Sequence, residues 1–244
     1  LTCYSYSMAR IMKKADIDVV LVGDSLGMVE LGYENTIPVT VEEMVHHTRA
    51  VKRARPSGLL VTDMPFLSYN VTKQESLKAA GKIIKEGGAE AVKLEGGQAV
   101  AETVKFLVEN NIPVMGHLGL TPQAVHKMGG YKVQGRGESQ AARIVTDAKI
   151  LEGAGAFAIV MEGVPSQLAS EITAKINIPT IGIGAGPGCD GQILVVNDML
   201  GMDKDFQPKF VKRYADLEEV ILKAFKDYSE NIRDGSFPSK IESY

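Results

Sequence analysis

Short apolar runs, rich in β-branched residues, recur along the chain, and stretches of helical spacing separate them. Val19-Val20-Leu21-Val22 is the clearest run. A continuous apolar run of this length fits a strand covered on both faces, as in a parallel sheet. It ends abruptly in Gly23-Asp24-Ser25-Leu26-Gly27. Asp and Ser are good helix N-caps. An acid at the carboxyl end of a parallel strand is also where α/β enzymes keep their chemistry. This stretch alone leaves both readings open.

The pattern repeats. Strands are predicted at Leu1–Tyr4, Val19–Gly23, Leu59–Thr62, Ala91–Leu94, Ile112–Gly119, Ala156–Met161, Pro179–Gly186 and Gln192–Val196. Between them, helical spacing covers Tyr6–Ala15, Thr40–Ala54, Lys73–Glu86, Ala99–Asn110, Glu138–Leu151 and Ser166–Lys175, and a last helix runs over Leu217–Ile232. Thr40 and Glu43 form a capping-box pair. Eight strands alternating with helices in 244 residues point to a (β/α)₈ TIM barrel, a fold of about 250 residues. No break in composition marks a second domain, so residues 1–244 read as one barrel domain. An open doubly wound sheet is the alternative, but no Gly-x-Gly-x-x-Gly opens the first helix. The chain starts at Leu1, already strand-like, so an N-terminal segment is expected to be missing.

Composition narrows the partners. Net charge is −3 with no basic block, which argues against nucleic acid and anionic membrane. No apolar run approaches the ~18 residues of a membrane-spanning helix. Two cysteines, Cys3 and Cys189, make neither a disulfide framework nor a zinc site, so the expected setting is cytoplasmic.

The strand ends carry the chemistry. Asp24, Asp63, Glu95, His117 and Glu162 each close a strand, and Lys93 shares a face with Glu95. In a barrel these ends gather at one rim. Three carboxylates there would repel and raise one another's pKa values, a conflict that a hard divalent cation removes. Magnesium prefers oxygen ligands and usually takes only one or two protein carboxylates. Such a set suits enolisation of a 2-oxo acid: the cation polarises the oxo group while a separate carboxylate takes the adjacent proton. Glu162 is the acid left over once Asp24, Asp63 and Glu95 serve the metal. His46 and His47 read as structural. The glycine-rich Gly182–Gly188 run is open between phosphate cradle, ring approach and simple turn. Thr121–Gly137 is a candidate lid.

Six motifs, taken in order, resemble one family: Val22-Gly23-Asp24-Ser25-Leu26-Gly27, Leu31-Gly32-Tyr33-Glu34-Asn35-Thr36, Asp63-Met64-Pro65-Phe66, Lys93-Leu94-Glu95-Gly96-Gly97, Gly116-His117-Leu118-Gly119-Leu120-Thr121-Pro122-Gln123 and Gly182-Ile183-Gly184-Ala185-Gly186-Pro187-Gly188-Cys189-Asp190-Gly191. They are similar to those of the ketopantoate hydroxymethyltransferases, over Leu1 to about Leu217. The resemblance implies a barrel of the phosphoenolpyruvate/pyruvate superfamily. It implies hydroxymethyl transfer from 5,10-methylenetetrahydrofolate to 3-methyl-2-oxobutanoate, giving 2-dehydropantoate for pantothenate and coenzyme A. By position it implies Asp24, Asp63 and Glu95 at a Mg²⁺ site and Asp24, Ser25, Asp63, Lys93 and His117 at the substrate, with Glu162 as proton acceptor. It also implies a homo-oligomer, a decamer in many members. Ser5 stands where the family usually has an acid, and Gly163 where many members have Cys or another small residue. A magnesium-dependent 2-oxo acid lyase or mutase is the alternative activity, but neither cysteine lies in the Thr121–Gly137 loop. A non-catalytic binding barrel would lack the strand-end acids.

Overall fold

A computed structural model describes all of residues 1–244. Seven strands form one sheet in chain order: β1 Val19–Val22, β2 Leu59–Asp63, β3 Ala91–Glu95, β4 Val114–Gly119, β5 Ala158–Glu162, β6 Thr180–Ile183 and β7 Gly191–Gln192. Every neighbouring pair is parallel. The expected first strand is reduced to a single bridge, Thr2 to Leu21. Its backbone nevertheless closes the ring. Cys3 N–H donates to Leu21 O (2.8 Å), Leu21 N–H to Leu1 O (2.9 Å), and Thr2 N–H to Leu194 O (3.2 Å), just beyond β7. The eighth expected strand, Gln192–Val196, is observed as the two-residue Gly191–Gln192, and a short helix starts at Val196.

Helices α1 Tyr6–Met12, α2 Val41–Arg53, α3 Lys73–Lys82, α4 Ala101–Glu109, α5 Glu138–Gly153 and α6 Ser166–Lys175 alternate with the strands. The capping box of α2 forms as read: Thr40 Oγ1 accepts from Glu43 N–H (3.2 Å) and Glu43 Oε2 accepts from Thr40 N–H (2.7 Å). These bonds satisfy two amides that the helix leaves unpaired.

Side-chain alternation along the strands builds two layers of core. Val92, Leu94, Ile159 and Met161 pack outward with Leu107, Ile144 and Leu151 from the helices. Leu21, Val61, Ala91, Met115, Ala158 and Val160 pack inward. Two residues further on, the same inward face carries Gly23, Asp63, Lys93, His117 and Glu162, and Glu95 lies two beyond Lys93. The barrel interior is therefore apolar at one end and ionisable at the other.

The chain divides into two compact units, Leu1–Val195 and Val196–Tyr244. The first holds the ring of strands. The second holds the short helix Val196–Leu200 and α7 Leu217–Asp234. Within it, Tyr214 N–H bonds Met199 O at 2.8 Å, and the Arg213 guanidinium bonds the carbonyls of Asp203, Lys204 and Phe206. Leu217, Ile221, Phe225, Tyr228 and Ile232 form one stripe of α7 at helical spacing, and no residue of α7 is buried. No helix is long and apolar enough to cross a membrane.

Candidate active site

Parallel register brings the ionisable residues together. Asp63 pairs with Lys93, Glu95 with His117, and Gly119 with Glu162. Asp24, Asp63, Lys93, Glu95 and His117 are each only 3–6% exposed. Lys93 Nζ lies 2.9 Å from Asp63 Oδ1 and 3.3 Å from His117 Nδ1. The other imidazole nitrogen, Nε2, lies 3.2 Å from Glu162 Oε2 without hydrogen-bond alignment. An ammonium can only donate. His117 Nδ1 is therefore the acceptor, and a neutral imidazole carries its proton on Nε2, toward Glu162.

Asp24 settles the ambiguity left by the sequence. Its carboxylate accepts from the Gln123 side-chain amide (2.8 Å), and its N–H donates to Asp63 Oδ2 (3.0 Å). It does not cap a helix. Ser25 precedes the short helix Leu26–Val29 but makes no side-chain cap bond; its hydroxyl is 2.8 Å from Tyr4 OH. All the expected site residues thus lie on one rim.

Electrostatics at the rim are unbalanced. Burial, then the neighbouring Asp63, pushes the Asp24 carboxyl up to about 7. Burial, then Asp24, pushes Glu95 well above the usual carboxylate range. Burial alone would lower Lys93, but Asp63, Glu95 and Asp24 outweigh it and hold the ammonium above its ordinary value. His117 is lowered by burial and by Lys93. Three buried carboxylates against one lysine and a neutral imidazole form a site that a further cation would complete. No three carboxylate or imidazole groups close on one point as a ready-made cage. Magnesium needs none, since it keeps several waters and commonly takes one or two carboxylates. The oxygen donors fit it.

The loop after β4 supplies what sequence reading missed. Gln123 is the bridge between Asp24 and Glu95: its backbone N–H donates to Glu95 Oε2 (3.1 Å). Tyr69, from the segment after β2, donates to Gln123 Oε1 (2.6 Å). Gln123 lies in a motif quoted above, yet nothing local in the sequence shows that it faces β1. Further along, Gln134 N–H bonds Gly163 O (2.8 Å) at the β5 exit, while Tyr131 OH reaches Met28 Sδ (3.7 Å) beyond β1. With the N-terminal segment counted in the ring, β1 and β5 stand opposite each other. Residues 129–134 therefore form a strap across the mouth. Tyr131 is raised by burial and then by Glu162, Asp24 and Glu95, so its hydroxyl lies within their field.

Two other features make local packing contacts. A Cβ at Gly186 or Gly188 would meet Ser166 Oγ at 2.0 Å or Ser170 Oγ at 1.9 Å. These glycines let the β6 exit lie directly on α6. Asp190 accepts from Thr180 N–H (2.9 Å) and pins the same loop. His47 Nδ1 is 2.7 Å from Tyr4 O, a packing role.

Comparison with known proteins agrees with the geometry. The family model described as ketopantoate hydroxymethyltransferase matches residues 1–240. A 3-methyl-2-oxobutanoate hydroxymethyltransferase from Geobacter metallireducens is 54% identical over 244 residues, covering 100% of this chain and 91% of that protein. One from Syntrophus aciditrophicus is also 54% identical, covering 100% and 90%. Among solved structures, a 2,3-dimethylmalate lyase of the PEP mutase/isocitrate lyase superfamily aligns with TM-score 0.61 at 14% identity, over 100% of this chain and 85% of that one. A phosphoenolpyruvate phosphomutase from Streptomyces platensis aligns with TM-score 0.61 at 12% identity, over 96% and 82%. These two likenesses establish the fold.

Proposed function

The chain belongs to the ketopantoate hydroxymethyltransferase family, and from that premise we propose how its rim performs the family's reaction. The activity is hydroxymethyl transfer in pantothenate biosynthesis, with methylenetetrahydrofolate as co-substrate. In our reading, C3 of 3-methyl-2-oxobutanoate loses a proton and the resulting carbon nucleophile bonds to the methylene carbon of the folate. The C–N bonds to that carbon break so that tetrahydrofolate leaves, while water supplies the hydroxyl of the hydroxymethyl group. Glu162 is the proton acceptor. It is the strand-end carboxylate at Nε2 of His117 (3.2 Å), whereas Lys93 and Glu95 lie at Nδ1, on the other side of the ring. That separation is the observation that carries the assignment.

Asp24, Asp63 and Glu95 would hold Mg²⁺, some of them through water. When bound, magnesium supplies positive charge to the 2-oxo group and to the enolate that proton loss creates. Lys93 lies at Asp63 and faces the same developing charge. Ser25 presents a hydroxyl oriented by Tyr4. His117, neutral, lies beside the Glu162 carboxylate and places no full positive charge on it to blunt its basicity. The strap through Tyr131 narrows the mouth and limits access of bulk water to the carbon nucleophile.

A homo-oligomer, and by family habit a decamer, is supported by the uncovered stripe of α7, where Phe225 is 67% and Tyr228 57% exposed. An amphipathic helix needs an apolar partner, and a second copy of this chain is one. A cytoplasmic setting is consistent with two free cysteines.

The test is deuterium exchange at C3 of the 2-oxo acid, followed by proton NMR, with magnesium, with EDTA, and with methylenetetrahydrofolate added. Metal-dependent exchange, then hydroxymethyl product, is expected. Product formation without any metal-dependent exchange at C3 would overturn the enolate route.

A further inference from the structure

We propose that Gln123 is the positioning residue that fixes the Asp24 carboxylate toward cation and 2-oxo acid, and that Tyr69 sets which way its amide points. The proposal rests on the reading of Asp24 and Glu95 given above. Gln123 is 6% and Tyr69 3% exposed, so bulk water is a poor substitute for either's partners. The chain of donors and acceptors has one consistent solution. Glu95 N–H, which can only donate, points at Tyr69 O (3.3 Å). Tyr69 must then send its own hydrogen onward, to Gln123 Oε1 at 2.6 Å. That choice orients the amide, whose two sides are otherwise nearly equivalent. Its NH₂ group then faces two acceptors, Met64 O at 3.0 Å and Asp24 Oδ2 at 2.8 Å.

One side chain thus ties the exits of β1 and β2 together. Its backbone N–H, on Glu95 Oε2 at 3.1 Å, adds β3. The N–H on Oδ2 fixes the direction of that oxygen and, with it, the plane of the Asp24 carboxylate. The Gln123 contact supplies a hydrogen-bond donor to a carboxylate whose strongest electrostatic neighbour is another carboxylate, Asp63. Groups that orient metal-binding carboxylates commonly matter about 10–100-fold in metal affinity.

The experiment uses the full chain as wild type, Y69F, Q123L and the double variant. Mn²⁺ alone is titrated by EPR, and KM is measured for each substrate. For Q123L, Mn²⁺ binding should weaken by about 10–100-fold, with a raised KM for 3-methyl-2-oxobutanoate. KM for methylenetetrahydrofolate should stay within about twofold, since that substrate makes no use of Asp24 in this assignment. Y69F should shift the same quantities in the same direction by a smaller factor. The double variant should match Q123L, because Tyr69 acts through Gln123. A folded Q123L with wild-type Mn²⁺ affinity and an unchanged KM for the 2-oxo acid would overturn the proposal. Additive losses in the double variant would overturn the role of Tyr69. If Q123L fails to fold, Y69F decides, and unchanged Mn²⁺ affinity there is a refutation. If the wild type itself binds no Mn²⁺, the metal reading fails on its own and the split in KM judges Gln123.

Discussion

Replacing Lys93 with methionine keeps an unbranched side chain, one atom shorter, and removes its charge. In the folded protein this leaves Asp24, Asp63 and Glu95 buried without their positive neighbour, which lies 2.9 Å from Asp63. Both members of that ion pair have side chains only 5% exposed, so solvent screens little of the loss. Breaking a buried pair by deleting one partner costs about 3–5 kcal/mol. In a chain of this length each kcal/mol lowers Tm by about 2–4 °C. Lys93→Met should therefore melt roughly 6–20 °C below wild type in EDTA, followed by far-UV circular dichroism. Adding Asp63→Asn removes one of the stranded carboxylates, so the double variant should recover part of the loss. The penalty should also shrink at low pH, where the carboxylates can protonate. A variant melting within about 2 °C of wild type, or a double variant as unstable as Lys93→Met alone, would refute the view that Lys93 offsets the buried carboxylates of this rim.

Glu162→Gln should keep Mn²⁺ and 2-oxo acid binding while kcat falls by about 10²–10⁴; comparable turnover would remove Glu162 as the base. In EDTA, stability should decline as pH rises. The Asp24 carboxyl, near 7 in the fold, holds a proton that the unfolded chain, titrating near ~3.9, has already lost. The stabilisation is full below the unfolded value and is gone once pH passes about 7. Urea titrations at stepped pH measure it, and saturating Mg²⁺ should flatten the slope. Tyr131→Ala, at a half-exposed position, should leave Tm nearly unchanged and lower kcat/KM about tenfold. An unaltered kcat/KM would show that the strap has no part in turnover.

The strand ends were legible in sequence because their signal is local: an apolar run stops and an ionisable residue follows. The alternation within β3 also told that Lys93 and Glu95 share a face. The capping box of α2 was legible for the same reason, since both its bonds form between Thr40 and Glu43. The first and eighth strands were less so. Their pairing rests on a few backbone bonds among Leu1, Thr2, Cys3, Leu21 and Leu194, which side-chain patterns do not encode. Gln123 and Tyr69 were missed because a neutral amide and a phenol gain their roles only from strands distant in sequence. Tyr131 was hidden inside a loop read as a lid without any residue singled out.

Closure of the ring by Thr2 between Leu21 and Leu194 also has a kinetic meaning. From β1 to β5, each strand pairs with its successor, so each pairing closes a short loop. The closing contact spans most of the chain, and the entropy of bringing chain ends together grows with the length enclosed. Topologies favour their local contacts early. Asp63, Lys93 and Glu95 therefore meet on β2 and β3 while the barrel is still an open sheet. The lysine that balances the acids is supplied by an adjacent strand, so the charges of the future rim are already partly neutralised before it is sealed.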